Sequence, residues 1–466
     1  MIRKSVLLPI LLTTQLLPVV YAAPPTLPSG ISTDKPSLPS GLAPSPALPS
    51  GLGFEHSTDS TFEDSSDNDE PLSINGFWEA RAGFRTQSDS DERGTSIGES
   101  RLQLELQKEF ELLTANITAD LLYDTVDQKR HINLEQGKGW FDLREANVEF
   151  SPSDFMDVKL GRQILTWGTG DLLFINDMFS KDWNSFFNGR DEEYLKAPSD
   201  AIKTSFFSAI ANVDLIINPH FDADRYIDGR RLSFYNPMLG EISGQNAIIK
   251  TDQPQGSEVS LRIYQTVGTY ELALYGYDGY WKSPAGFDVS NGLSTFPNLR
   301  VYGASARGPL SKGIANLEVG YYDSRDDKQG DDPFVANSEF RLLAGYEQEL
   351  VKNLTLGVQY YLEWLMDYDE YQDSLAPSSQ PRDEYRHLVT TRLTWLTLNQ
   401  NLQWSLFAYY SPSDGDAYLR PKVNYKIDDQ WSAEIGGNFF LGESTHTFFG
   451  QFRHNNNLFT AVRYGF

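Results

Sequence analysis

The stretch LTLGVQYYLEW, Leu354 to Trp364, alternates without a break. Leu354, Leu356, Val358, Tyr360, Leu362 and Trp364 share one face. Thr355, Gly357, Gln359, Tyr361 and Glu363 share the other. Successive strand side chains point to opposite faces, so this is period two and not the 3.6 of a helix. The period recurs in SEVSLRIYQTV, where Val259, Leu261 and Ile263 oppose Ser260, Arg262 and Tyr264. YELALYGY, ANLEVGYY, EFRLLAGYE, LQWSLFAYY, YLRPKVNYKI and WSAEIGGNFF repeat it.

The connections between these runs also alternate. Short ones lie at 267–269, 309–313, 350–353, 397–401 and 428–430, and long ones such as KSPAGFDVSNGLSTFPN and MDYDEYQDSLAPSSQPRDE lie between them. Short turns at one end and long loops at the other mark a transmembrane barrel. Soluble sandwiches alternate as well, but they do not separate long and short connections so regularly. In lipid every backbone polar group needs a partner, so the sheet must close. The expected fold is all-β: a closed antiparallel up-and-down barrel over 73–466.

Strands are predicted near 73–86, 100–110, 112–123, 141–150, 156–167, 201–208, 212–218, 257–267, 269–280, 299–307, 314–323, 338–348, 354–365, 386–396, 402–411, 417–427, 431–440 and 457–466. That is about eighteen, with sixteen as the alternative. HTFFGQFRH is assigned to the last long loop, because a nineteenth strand would put the two ends on opposite sides. FTAVRYGF should close the sheet, with Leu458, Thr460, Val462, Tyr464 and Phe466 toward lipid and Ala461 and Arg463 inward. Its aromatic ending resembles the terminal signal that bacterial outer-membrane proteins present to the barrel-assembly machinery. Tyr270, Tyr321, Tyr346, Trp364, Trp395, Trp404, Tyr410 and Trp431 are expected in interfacial girdles.

Composition agrees. The 466 residues carry a net charge of -25, no Cys and 13% aromatics. That length fits several domains or one large barrel. Lack of Cys excludes disulfides and thiolate metal sites. The acidity argues against a general nucleic-acid binder. A mean hydropathy of -0.43 suits a barrel, half of whose strand residues face water.

The first 22 residues read as a cleaved signal peptide: Arg3 and Lys4, a short apolar run, then small residues to Ala22. A membrane anchor is the alternative, but the run is short and broken by Thr13, Thr14 and Gln15. Residues 23–72 form an expected disordered linker. LPSG recurs at Leu27, Leu38 and Leu48, followed by an acidic run from Asp59 to Glu70. Residues 23–70 are a candidate contact for a periplasmic partner.

FDLREANVEF (141–150) and LGRQILTWGTGD (160–171) resemble paired strands of the alginate-export type porins and related uncharacterised outer-membrane barrels. VDLIINPHFDADR (213–225) continues the likeness, which covers under a tenth of the chain. The resemblance implies a passive pore or exporter of the Gram-negative outer membrane and leaves the solute open, a polysaccharide-type one included. Implied partners are outer-membrane lipid and lipopolysaccharide, the assembly machinery and a small polar solute, with no nucleic acid.

In those strands Arg144, Glu145, Arg162 and Gln163 fall where the apolar phase slips, which suggests bulges. They are candidates for a lumenal cluster. Pairing that merely stiffens the wall is the alternative. Alternation places Arg262, Arg300, Arg341, Arg420, Lys422, Lys426 and Arg463 inward, against Glu271, Glu318, Glu347, Glu363 and Glu434. Arg420, Lys422 and Lys426 form a basic ladder. The stretch 168–200 lacks clear strands, with a short helix expected at NDMFSKDW. Leu172, Phe174, Phe179 and Phe186 are apolar enough to favour folding into the lumen. Its Asp171, Asp177, Asp182, Asp191, Glu192 and Glu193 would then oppose the ladder as a constriction. The loop 219–256 is a second infolding candidate.

No catalytic set emerges. Six His are scattered. FDADRYIDG departs from a calcium loop at Tyr226 and Ile227. GTG at 168–170 is a lone turn signal. No enzyme, metal or cofactor is expected. The leading function is a channel for diffusion or export of a polar or charged solute. The alternatives are a barrel subunit or anchor for a periplasmic partner and, third, a barrel hydrolase.

Overall fold

The computed structural model describes residues 72–88, 92–127, 131–377 and 379–466. The signal peptide and all but the last residue of the linker lie outside the described residues. Eighteen strands form the barrel sheet, in chain order and apart from two small hairpins in the connections: β1 Ser73–Arg85, β2 Thr95–Glu109, β3 Thr114–Asp124, β4 Phe141–Ser153, β5 Met156–Ile164, β6 Pro198–Phe206, β7 Asn212–Asn218, β8 Glu258–Val267 and β9 Tyr270–Tyr280. Then come β10 Asn298–Leu310, β11 Gly313–Ser324, β12 Glu339–Val351, β13 Leu354–Leu365, β14 Tyr385–Thr397, β15 Leu402–Ser411, β16 Asp416–Lys426, β17 Trp431–Leu441 and β18 Asn457–Gly465. Each pairs antiparallel with the next. β18 returns to β1, from Phe77 opposite Gly465 to Arg85 opposite Asn457. Phe466 and Gly76 exchange backbone hydrogen bonds of 3.0 and 3.1 Å beyond that ladder. The sheet therefore has no free edge.

The count is eighteen, not sixteen. HTFFGQFRH lies in the last long connection, which carries a short 3-10 helix at Gly450–Asn455. No helix among the described residues is long and apolar enough to cross a membrane.

The faces follow the alternation. On β9 Tyr270, Leu272 and Leu274 are exposed outward while Ala273 and Tyr275 are buried inward. On β18 Leu458, Thr460 and Val462 are exposed and Phe459 and Ala461 buried. Register puts Tyr270, Tyr346, Trp395, Trp404 and Trp431 near the short-turn ends of the outer face, and Tyr321, Trp364 and Tyr410 near the long-connection ends. The expected slip occurs between β3 and β4. Thr118 opposes Glu145 but Ala119 opposes Leu143, so Arg144 is the extra residue of a bulge.

Candidate functional site

The segment between β5 and β6 turns into the barrel, because its apolar side chains find partners only there. Ile175, Met178, Phe186, Phe187 and Leu195 are buried in one cluster with inward residues of the wall, among them Tyr277, Leu299, Tyr322, Leu343, Tyr409, Tyr418 and Phe440. A short helix, α1 (Trp183–Asn188), seats the aromatic part. Asp182 caps it by accepting from the Ser185 amide at 2.7 Å, and Gly189 ends it at φ +82°. The helix begins only where NDMFSKDW ends, because Asp182 acts as its N-cap rather than as an interior residue. Phe187 has ring neighbours at 5.2 Å (Phe186), 5.3 Å (Tyr418), 5.4 Å (Phe440) and 5.0 Å (Phe452). Gly189 is required twice over: its φ is left-handed, and an added Cβ would lie 2.3 Å from the Phe459 ring.

Polar side chains of the wall dock the start of the segment. Glu318 on β11 accepts from the amides of Thr169 and Gly170, the latter at 2.8 Å, and from Asn176 Nδ2 at 3.1 Å. Gln359 on β13 exchanges two bonds with the Asp171 backbone, 2.7 and 2.8 Å. Asn316 donates to the Thr169 carbonyl at 2.8 Å. The GTG turn is thus a main-chain docking edge, satisfied by side chains from across the barrel.

The connection after β7 grips the segment from the long-loop side. Asp224 accepts from the Lys181 amide at 2.8 Å and from Trp183 Nε1 at 3.0 Å. Asn184 donates to the carbonyls of Arg225 and Tyr226 at 3.1 and 2.8 Å. Arg225 in turn holds Asp142 on β4 with two bonds of 2.7 and 2.8 Å. FDADRYIDG is therefore a clamp on the segment.

Past α1 a belt of opposed charge crosses the lumen. Asp171 meets Arg392 (2.5 Å) and Glu192 meets Arg392 (3.1 Å) and Arg420 (3.6 Å). Asp191 meets Lys422 (3.6 Å), Arg81 (3.8 Å) and Arg463. Lys422 and Arg81 also share Glu434 at 3.1 and 2.9 Å. Burial alone would raise the Asp191 carboxyl, but Arg463, Lys422 and Arg81 outweigh it and hold it down to about 2. Burial pushes Glu193 the other way, up. Next to the belt, Tyr194 of the segment lies between the guanidiniums of Arg101 on β2 (4.1 Å) and Arg144 on β4 (4.5 Å), and Arg190 Nε reaches Glu99 at 3.0 Å. Beside the belt a small polar cavity of about 40 Å³ is lined by Arg81, Asp191, Glu434 and Arg463, so charges of both signs face it.

Of the residues singled out in the sequence, Asp171, Asp191, Glu192, Arg420, Lys422, Glu434 and Arg463 come together in this belt. Phe186 sits beneath the Arg420 guanidinium, 4.2 Å from ring centre to Cζ. Phe174 packs on Trp183 at 6.1 Å. Phe179 joins a smaller cluster with Leu165, Ala201 and Ile216. Four of the six acids pair elsewhere than with the ladder: Asp171 with Arg392, Glu193 with Arg463 (3.7 Å) and Asp177 with Lys181 (2.9 Å), while Asp182 caps α1. Lys426 is apart from the belt, paired with Asp429 at the short-turn rim (2.8 Å). On the inner face Arg262 pairs with Glu271 (2.6 Å) and Arg341 with Glu339 (2.6 Å), while Glu363 takes Arg382 from the connection after β13 (2.5 Å). Arg144 donates to the carbonyls of Glu193 and Lys196 at 3.2 and 3.1 Å, and Glu145 lies beside it. The Gln163 amide is held by backbone carbonyls, including Ala201 at 3.0 Å.

Two lumenal assignments are corrected. Directly opposed residues share a face. Arg162 stands opposite Ala146 and the exposed Asp200, on the outer side, where the 131–139 turn covers it. Arg300 also points outward and pairs with Asp278 at 2.7 Å. Its neighbours Leu299 and Val301 take the inner face instead, because the infolded segment gives them an apolar partner. Arg81, Arg392 and Arg225 were not singled out. For Arg81 and Arg392 the signal was present: each falls on the inward parity of an alternating strand, EARAGFR and TTRLTWL.

Closure, register and the crossing segment define the class: an antiparallel eighteen-stranded barrel with an occupied lumen. No protein-family model matches the chain, and no curated protein matches it significantly. Solved structures share the barrel plan at low identity. A loop-deletion variant of OmpT, an outer membrane protein of Vibrio cholerae, is 10% identical, with a TM-score of 0.40 over 85% of this chain and 99% of that one. A Rh. blastica porin mutant is 12% identical, TM-score 0.40, covering 85% and 100%. Acinetobacter baumannii OccAB3 is 12% identical, TM-score 0.49, covering 85% and 98%. Likeness this distant carries nothing about solute or site.

Proposed function

We propose that the chain is an outer-membrane channel for a small polar or charged solute, constricted by the segment 165–197. The carrying observation is the belt itself: Asp171, Asp191 and Glu192 on one chain segment face Arg392, Arg420, Lys422 and Arg463 across a closed barrel. Opposed charges at a narrow point set a transverse field that favours polar and ionic solutes over neutral apolar ones. The outer face supports a bilayer setting. Leu274, Ile435 and Tyr302 are each more than half exposed there, an arrangement suited to acyl chains and poorly suited to water. A polysaccharide-type solute, as the alginate-export resemblance implies, is one member of this class. Export through a cleaved signal peptide belongs to the same reading.

The test is single-channel recording in planar bilayers. Shortening 172–190 should raise unit conductance and weaken ion discrimination. A folded, shortened barrel with unchanged conductance would place the segment outside the permeation path.

A further inference from the structure

The clamp on the infolded segment is itself held by an ionisable cluster. Ser180 Oγ donates to the Asp222 carbonyl at 2.7 Å, and the Arg225 amide donates to the Lys181 carbonyl at 2.8 Å. Asp222 anchors this loop to the wall. Its amide donates to Glu258 on β8 at 3.2 Å, and its carboxylate accepts from the Asp200 amide on β6 (3.2 Å) and from Asn218 Nδ2 on β7 (3.1 Å).

The charges around Asp222 do not balance. Lys282 gives its ammonium to Glu258 at 2.6 Å and to the Asp222 carbonyl at 3.0 Å, not to the Asp222 carboxylate. Tyr277 donates to the same Glu258 at 2.5 Å. Arg162 is shared by Glu135 and Asp200, each at 3.2 Å. On the segment Lys181 is taken by Asp177 at 2.9 Å, and the neighbouring His220 is exposed. Four carboxylates therefore share two cations, and among the described residues no ion pair reaches the Asp222 side chain.

We propose that Asp222 is a proton-operated catch: protonated, it holds the loop 221–226 against the segment; ionised, it loosens that grip. This rests on reading 165–197 as the constriction. Burial pushes the Asp222 carboxyl up to about 7, against Lys282 and with help from Glu135 and Glu258. The sign follows. A clamped state that binds the proton more tightly than the released one is strongest below the ordinary Asp range and weakens as pH rises through 7. Between pH 8 and pH 5.5 the seating equilibrium should strengthen on the order of 30-fold.

The experiment is hydrogen exchange at the amides of 180–184 in the full-length folded barrel, corrected for intrinsic pH dependence, with bilayer recordings in parallel. Protection should rise about thirtyfold from pH 8 to 5.5, and conductance should fall. Asp222→Asn should hold protection near the acid level at all pH. Should that variant not fold, Glu135→Gln should move the midpoint downward instead. Protection independent of pH in the wild type, or an Asp222→Asn barrel that tracks the wild type, overturns the catch. A barrel that conducts nothing yet shows pH-dependent protection supports the catch and refutes the channel reading.

Discussion

Phe187→Ala should unseat the infolded segment without opening the wall. Phe187 is 2% exposed and touches four rings within 5.4 Å, two on α1 or the last long connection and two on β16 and β17. Removing a ring so enclosed costs about 3–5 kcal/mol. The strand ladders make no use of this side chain, so the loss falls on the seating equilibrium. At about 1.4 kcal/mol per tenfold, that shifts seating by about 10²–10⁴-fold. Hydrogen exchange at 183–188 should accelerate accordingly while the strand amides stay protected, and single-channel records should show larger, noisier openings. Phe84→Ala is the control, since Phe84 is 60% exposed on the outer face and packs against nothing inside. Unchanged exchange at 183–188 in a folded barrel would refute the view that aromatic packing holds the constriction.

Replacing Arg420 and Lys422 together by Gln should shift the reversal potential toward cation selectivity, whereas Lys426→Gln, at the rim with Asp429, should not move it. Gly189→Ala should destabilise the seated segment by at least ~1–2 kcal/mol from the left-handed φ alone, read as faster exchange across α1. Deleting Phe466 removes two backbone bonds to Gly76, about 1–3 kcal/mol in all; the yield of heat-modifiable barrel should fall, with conductance per channel unchanged.

The wall was legible because its outer face keeps one chemistry, largely apolar. Outward side chains are mostly apolar, Arg300 and Asp278 being exceptions, so period two survives along most of the wall, and eighteen strands appear close to where alternation places them. The interior obeys a different rule. Where the segment packs, inward residues are apolar too, as at Leu299 and Val301, and the pattern loses its phase; Arg300 was misassigned for that reason. At Arg162 the cause is local, next to Gly161 at φ +114° and under a covering turn. The segment's infolding was readable from its stranded aromatics. Its contacts were not, since Glu318, Gln359 and Arg392 are more than a hundred residues away and their pairing depends on barrel closure.

That separation bears on how the molecule is made. The segment is synthesised before many of its partners: Tyr409 reaches back 237 residues to the Leu172 carbonyl, and Arg463 reaches back 272 to Asp191. Contacts of such long sequence separation form slowly, because loop-closure entropy is lost before they repay it. A half-assembled sheet would offer α1 and its acidic tail only part of their rings and cations, such as Arg81 on β1, and would lack Tyr418, Phe440, Lys422 and Arg463. The last of these contacts forms only when β18 finds β1, so the event that seals the seam also completes the seating. Closure of the wall and occupation of the bore thus draw on the same final strands.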